Sequence, residues 1–197
     1  NRVAGLEKAD SIALDPHKWL HAPFEVGCAL VRNHDAHRGA FQLTPEYLEP
    51  SIRGIATGKA MFDYGVQTSR GFRALKVWMS LQEHGVEKFG RLIDQNIRQA
   101  HYLQALIKEE PELEMAFETN INIVCYRYNP GNKSEGDLKL INSEIMLQMQ
   151  ETGVAAVSDT TVHSRYCLRV AINNHRTISE DLEFLVRETV RLGNKIV

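Results

Sequence analysis

A lysine stands between an imidazole and an indole in the run Asp15-Pro16-His17-Lys18-Trp19. Apolar stretches at 9–14 and 27–31 flank this run, so we expect two short buried strands with Lys18 on their connection. A lysine that is partly desolvated and near other cationic groups has a lowered pKa, and its neutral amine can attack a carbonyl to form a Schiff base. Lys18 is therefore a candidate nucleophile, against the simpler interpretation that most lysines are solvated surface residues.

The pattern changes along the chain. Residues 33–65 contain prolines and glycines without a sustained period, which predicts a long loop with at most a turn or two of helix. Loops of that length are usually lids, binding loops or disordered segments. Helical spacing begins after Ser69, a candidate N-cap, and stops at Gly85.

Beyond Gly85 the sequence predicts a small α/β unit. A helix should run from residue 86 until Pro111 ends it, and a second should cover about 138–151. Strands are expected at 122–128 and 166–172, followed by a last helix with a capping-box signature in Thr177-Ile178-Ser179-Glu180. We therefore divide the chain into domains at 1–85 and 86–197.

Composition excludes several classes of function. The net charge of -2 gives no basic excess for nucleic acid, and no apolar run approaches the roughly 20 residues that span a bilayer. The widely spaced Cys28, Cys125 and Cys167 predict buried thiols in a reducing compartment, hence a cytoplasmic protein. His34 and His37 lack a third ligand at useful spacing, so no metal site is expected.

Four blocks and a closing segment follow one another along nearly the whole chain: Asp15-Pro16-His17-Lys18-Trp19-Leu20, Gly27-Cys28-Ala29-Leu30-Val31-Arg32, Leu43-Thr44-Pro45-Glu46-Tyr47-Leu48, Arg70-Gly71-Phe72-Arg73-Ala74-Leu75-Lys76-Val77-Trp78, and Leu168-Arg169-Val170-Ala171-Ile172 with Asn174-His175-Arg176-Thr177. In this order they resemble the group II pyridoxal-phosphate-dependent amino-acid decarboxylases, in particular the aromatic-L-amino-acid branch. The resemblance implies an α/β fold, the C-terminal part of a fold-type I enzyme similar to aspartate aminotransferase. Residues 1–85 would be the end of the large cofactor-binding domain and 86–197 the small C-terminal domain.

The same resemblance implies roles for individual residues. Lys18 would carry pyridoxal 5'-phosphate (PLP), with His17 and Asp15 near the cofactor's phosphate. Many relatives have asparagine at the position of Asp15, whose carboxylate would repel a phosphate unless a cation or water intervenes, so a turn residue before proline is an equal interpretation. Ser69, with Arg70, would help to hold the phosphate of the neighbouring subunit, although Ser69 is also explained as an N-cap.

Tyr47 is the second candidate catalytic residue. Composition alone favours a surface or interface anchor for a tyrosine in a proline-containing segment. The resemblance makes 43–48 the mobile catalytic loop, whose tyrosine protonates the carbon from which carbon dioxide has departed. Tyrosine at this position favours simple decarboxylation over aldehyde-forming oxidation.

These observations predict a PLP-dependent carboxy-lyase that converts an L-amino acid, with an aromatic one as the first expectation, to its amine. Another PLP reaction stays open, such as carbon-carbon lyase or transamination, because the lysine does not choose which bond breaks. A truncated, non-catalytic chain that serves dimer assembly is a further open alternative. The family expectation is a homodimer. The start at Asn1 without methionine further suggests an upstream segment that carries the cofactor's pyridinium partner.

Overall fold

The computed structural model describes residues 3–43, 45, 51–54, 57–58 and 60–197. The chain forms two compact units, one ending at Gly85 and the other spanning Val86–Val197. No described helix has the length and apolar character needed to cross a membrane.

Two strands of the first unit pair with each other. Strands β1 (Ser11–Leu14) and β2 (Cys28–Val31) pair in antiparallel register, with Ser11 opposite Val31 and Leu14 opposite Cys28. Residues 15–27 therefore connect them, as predicted. The prediction that these strands are buried is wrong, because their residues are half-buried or exposed and, within the described part of the chain, the strands pair only with each other.

Helices complete this unit. The stretch predicted as a loop contains α1 (His34–Phe41), whose N-cap Asn33 accepts a hydrogen bond from the Ala36 amide at 2.9 Å, and a short 3-10 helix at Met61–Tyr64. Helix α2 covers Arg73–His84 and stops at Gly85, whose φ of 73° favours glycine. Ser69 is therefore not its N-cap: the helix begins four residues later, after Phe72, without a side-chain cap.

The second unit packs helices against an antiparallel sheet in which the strand order is β3-β4-β6-β5. Its elements are α3 (Val86–Glu109), β3 (Leu113–Met115), β4 (Ile123–Tyr128), α4 (Glu135–Glu151), β5 (Ser158–Val162), β6 (Arg165–Ala171) and α5 (Ser179–Ile196). The three helices and the strands β4 and β6 lie where the sequence predicts them. The strands β3 and β5 were not predicted.

Apolar side chains from these helices and strands form one continuous core. Its fully buried members include Leu103, Ile145 and Leu168. Tyr128 lies so close to α5 that a Cβ at Gly193 would be 2.4 Å from its ring, which requires glycine there. The buried Asn142 is paired: its side chain accepts from the amide of Tyr128 at 2.7 Å and donates to the carbonyl of Tyr128 at 2.9 Å.

The start of α5 differs from the predicted capping box. The N-cap is Ile178, whose amide donates to the Asp181 carboxylate at 3.0 Å, so Thr177 and Glu180 do not form the box. An isoleucine side chain has no acceptor, and only this half of the capping interaction exists.

Candidate active site

A tight turn presents Lys18. The Lys18 amide donates to the Asp15 carbonyl at 2.9 Å, and the His21 amide donates to the Lys18 carbonyl at 3.1 Å. The Ala22 amide reaches the carbonyl of Pro16, which is buried. Proline fixes the backbone at the start of the turn, and these bonds fix the direction in which the chain leaves it. The turn therefore places Lys18 at one end of the β1–β2 pair.

The Lys18 ammonium pairs with Asp15. Their Nζ and Oδ2 atoms are 2.7 Å apart, and the side chains are 61% and 44% exposed. The hydrogen bond from Lys18 and its positive charge lower the pKa of Asp15. An exposed pair adds little stability, so it serves orientation more than folding. Among the described residues Lys18 is thus a solvent-accessible amine and not the partly desolvated one that the sequence suggested.

His17 is fixed on the other side of the turn. Its Nδ1 lies 2.8 Å from the Val26 carbonyl, and its ring meets Phe24 edge-on with centroids 5.1 Å apart. A carbonyl oxygen only accepts, so Nδ1 carries the proton and donates. Nε2 is then the ring nitrogen that remains available to a ligand.

An open depression of about 480 Å³ lies beside this turn. Asp15 and Arg70 both line it, together with residues of β1 and β2. Ser69 is exposed and does not belong to the lining. Asp15, which pairs with Lys18, and Arg70, from a distant part of the chain, thus line the same depression. Arginine is well suited to bind phosphate.

These residues fit a phosphate-bearing aldehyde in three respects. Lys18 offers a primary amine, Arg70 a cation, and His17 a fixed imidazole with a free Nε2. The positive charge of Lys18 neutralises the carboxylate of Asp15. A phosphate nearby would therefore not meet the repulsion expected from an unpaired carboxylate. The structure thus brings Asp15, the partner of Lys18, and Arg70 to one depression, with His17 in the same turn as Lys18. The predicted Tyr47 lies outside the described residues.

The sequence pattern did not predict two ion pairs of the first unit. Arg73 pairs with Glu25 and Arg38 pairs with Asp63, at separations of 48 and 25 residues. The described residues contain no cluster of three or more potential metal ligands. His34 and His37 lie on α1 and contact Tyr64, in place of the solvated loop expected for them.

A family model described as the pyridoxal-dependent decarboxylase conserved domain matches residues 1–129. The chain belongs to this family. An aromatic-L-amino-acid decarboxylase from Bacillus atrophaeus is 32% identical over 195 residues, which cover 98% of this chain and 41% of that protein. Tryptophan decarboxylase 1 from Oryza sativa subsp. japonica is 32% identical over 180 residues, covering 88% of this chain and 35% of its own length.

Solved structures agree with the sequence comparisons. The Oryza sativa TDC crystal structure with PLP and tryptamine superposes with a TM-score of 0.88 at 27% identity, covering 98% of this chain and 40% of that one. Catharanthus roseus tryptophan decarboxylase with L-tryptophan gives 0.83 at 25% identity, covering 98% of this chain and 40% of that one. The predicted family and fold class are confirmed, and this chain spans about two fifths of such a decarboxylase.

Proposed function

We propose that the intact protein decarboxylates an L-amino acid to its amine and carbon dioxide with PLP as cofactor. The observation that carries this proposal is the Lys18 amine, held by Asp15 beside a depression that Arg70 also lines, in a chain with the conserved domain of this family. The Oryza sativa TDC crystal structure contains PLP, which supports the choice of cofactor.

PLP, when bound, supplies the electron sink that makes loss of the carboxylate possible. Lys18 would hold the cofactor through its aldehyde carbon. Arg70 would attract the phosphate into the depression, and His17 would offer Nε2 from a ring that Val26 and Phe24 keep in place. Asp15 would orient the Lys18 amine before the cofactor arrives. Ser69, next to Arg70 but outside the lining, would act on the phosphate of a neighbouring subunit.

Tyr47 would supply the proton. We infer this from its place in Leu43-Thr44-Pro45-Glu46-Tyr47-Leu48. A phenol is a suitable acid for the strongly basic carbon that decarboxylation leaves, and it does not compete as a base at neutral pH. The role of this chain's own residues is then to bind the cofactor at Lys18 and return a proton from Tyr47.

An aromatic amino acid is the proposed substrate. The curated relatives named above are aromatic-L-amino-acid and tryptophan decarboxylases, and a tyrosine decarboxylase from Arabidopsis thaliana is 28% identical. We further propose a cytoplasmic homodimer. The free thiols of Cys28, Cys125 and Cys167 favour a reducing compartment. Ser69 is exposed, as is required for the contact with a neighbouring subunit's phosphate that the family resemblance implies.

The experiment uses the intact protein with PLP and a panel of L-tryptophan, L-tyrosine, L-phenylalanine and L-glutamate. We expect amine and carbon dioxide in equal amounts from one or more aromatic members. The variant Lys18→Ala should lose this activity, whereas Lys8→Arg, at another exposed lysine, should keep it. Formation of a keto acid without carbon dioxide would indicate transamination, and cleavage of a side-chain carbon-carbon bond would indicate a lyase; either would replace the proposal.

A further inference from the structure

Two stretches that are far apart in the sequence line one cavity of the first unit. Residues 25–29 lead into β2 and residues 70–74 lead into α2, and both stretches contribute to an open cavity of about 950 Å³. The smaller depression that Asp15 lines shares Arg70 and residues 27–29 with this cavity. The position of one stretch against the other therefore decides where Arg70 lies relative to the lysine-bearing turn.

An ion pair joins the two stretches. Nε and Nη2 of Arg73 lie 3.1 and 2.5 Å from Oε1 of Glu25. Glu25 precedes Val26, which is buried and whose carbonyl accepts the hydrogen bond from His17. Within the described residues, no hydrogen bond between backbone groups outside the β1–β2 pair involves 23–27. The side chains of His17, Glu25 and Arg73 therefore hold this part of the connection.

The same ion pair restrains the backbone that carries Arg70. The Arg73 amide donates to the Gly71 carbonyl at 2.8 Å, so the chain turns tightly between Arg70 and Arg73. Arg70 is exposed and forms no ion pair with any other residue that the structure describes. Its guanidinium is thus available to an anion, and its position depends on a backbone that Arg73 ties to Glu25.

The exposure of the pair separates positioning from stability. The side chains of Arg73 and Glu25 are 38% and 62% exposed, and exposed ion pairs add little to folding stability. The two residues are nevertheless 48 positions apart, so their pairing restricts the relative movement of two distant stretches. Removal of the pair should therefore loosen the stretches while the unit stays folded.

We propose that Glu25 and Arg73 are positioning residues for the cofactor. Their ion pair sets the place where Arg70 meets the phosphate of a PLP that Lys18 carries. This inference rests on the proposed function, in which Lys18 holds the aldehyde carbon and Arg70 attracts the phosphate. Two groups that bind opposite ends of one rigid molecule need a fixed separation, and a separation fixed before binding raises affinity. The pair then contributes to binding of the phosphate and not to the reaction of the amine.

The test compares PLP with pyridoxal, which has the same ring and aldehyde but a hydroxyl in place of the phosphate ester. In the intact protein we measure Kd for both compounds from the Schiff-base absorbance, and the fraction of Lys18 labelled after borohydride reduction. The variants Glu25→Gln and Arg73→Met break the pair. Arg70→Met removes the cation itself and sets the loss expected when the phosphate has no guanidinium partner.

We expect Glu25→Gln and Arg73→Met to weaken PLP binding by about tenfold or more, with pyridoxal binding within about twofold of the parent. Arg70→Met should show the same selectivity with a loss at least as large. Addition of Glu25→Gln to Arg70→Met should weaken PLP binding little further, because residues that act through one another have non-additive effects.

The matched control is Glu118→Gln, which breaks another exposed ion pair of 2.5 Å, with Lys108 in the second unit. It should change neither Kd. Hydrogen exchange of the amides at 24–27 and 70–74, in the cofactor-free protein, reports on the contact itself. Exchange in both stretches should become faster in the two variants that break the pair and stay parental in the control. Unchanged exchange in both of those variants would overturn the proposal.

Equal losses for PLP and pyridoxal would also overturn it, because they would indicate damage to the Lys18 turn and not a displaced Arg70. Parental PLP affinity in both single variants, or additive losses in the double variant, would overturn it as well. If the parent is labelled at Lys18 but forms no amine, the proposed decarboxylation fails while the affinities still decide the positioning role. A parent that does not bind PLP at Lys18 would overturn both.

Discussion

Arg73, the first residue of α2, donates from both Nε and Nη2 to one carboxylate oxygen of Glu25, at 3.1 and 2.5 Å. The hydrogen bond and positive charge of Arg73 lower the pKa of Glu25. Glu25 is adjacent to Val26, whose carbonyl holds His17. The connection that presents Lys18 is therefore anchored on its far side to a helix that begins almost fifty residues later.

Lys18 is predicted to be the lysine that carries the cofactor. After borohydride reduction of the PLP-loaded intact protein, peptide mapping should find the phosphopyridoxyl label on Lys18, since its amine is accessible and oriented by Asp15. Lys8→Arg should leave the labelled fraction unchanged. A label on another lysine, or none despite bound cofactor, would remove Lys18 from its proposed role.

Tyr47→Phe should remove most amine production while cofactor binding at Lys18 persists. Loss of a proton donor costs about a hundredfold to ten-thousandfold in rate. Oxidative decarboxylation of the amino acid should increase instead. Each catalytic turnover would consume oxygen and water and release aldehyde, carbon dioxide, ammonia and hydrogen peroxide. Product analysis with an oxygen electrode gives both quantities, and parental amine formation without aldehyde would make Tyr47 a mere anchor.

Gly193→Ala should destabilise the second unit by about 1–3 kcal/mol, because the added methyl would meet the Tyr128 ring at 2.4 Å. The matched control is Gly90→Ala in α3, where a Cβ would meet no atom within 4 Å. That change should stabilise by up to about 1 kcal/mol through helix propensity and the unfolded state. Urea titration of both variants measures the difference, and equal effects would contradict the close approach.

Acid should weaken the pairing of Glu114 with Arg127, whose side chain is 5% exposed. Burial alone would raise the pKa of Glu114, but hydrogen bonds from Asn129 and Arg127 hold it below its ordinary 4.5. A lowered pKa in the folded state means that the stabilisation is present above pH 4.5 and is lost as pH falls through the folded value.

Glu114→Gln is accordingly expected to cost about 1–2 kcal/mol at pH 7 and progressively less below pH 4.5. Glu144→Gln, at an exposed position on α4, should stay within about 0.5 kcal/mol throughout. Unfolding titrations at several pH values provide the comparison. A cost for Glu114→Gln that is independent of pH would show that its charge does not contribute.

Residues 86–197 should fold by themselves, and residues 1–85 should not. The continuous apolar core lies wholly in the second unit, whereas the first buries only a few side chains among its described residues. Hydrophobic burial is the main favourable term in folding. We expect a cooperative urea transition for the 86–197 fragment and none for 1–85, as followed by circular dichroism. A cooperative transition in the shorter fragment would refute this.

Periodicity made the second unit predictable. Helices such as α3 repeat apolar residues over many turns, and β4 and β6 are apolar and rich in β-branched or aromatic side chains. Strand β3 was missed because three residues carry no period, and β5 because Ser-Asp-Thr-Thr-Val has the composition of a loop. Pairing with a neighbour, and not local preference, makes these segments strands.

The first unit was less predictable because its contacts are not local. Helix α1 follows an N-cap signal at Asn33 that the surrounding glycines and prolines obscured. Burial was predicted for β1 and β2 from their apolar composition. Composition indicates that a strand is suited to burial, but it does not identify the element that would pack against it. Of the candidate site, the Lys18 motif was evident locally, while its relation to Arg70 depends on the chain's return after more than fifty residues.

The β1–β2 pair has one further consequence. Within the described residues it is a two-stranded ribbon with an open edge on each side, and such ribbons have little stability of their own in water. Whatever pairs with those edges also sets the twist of the ribbon, and with it the direction in which Lys18 leaves its end. The direction of the Lys18 amine therefore depends on any strand that joins the ribbon, and not on the β1–β2 pair alone.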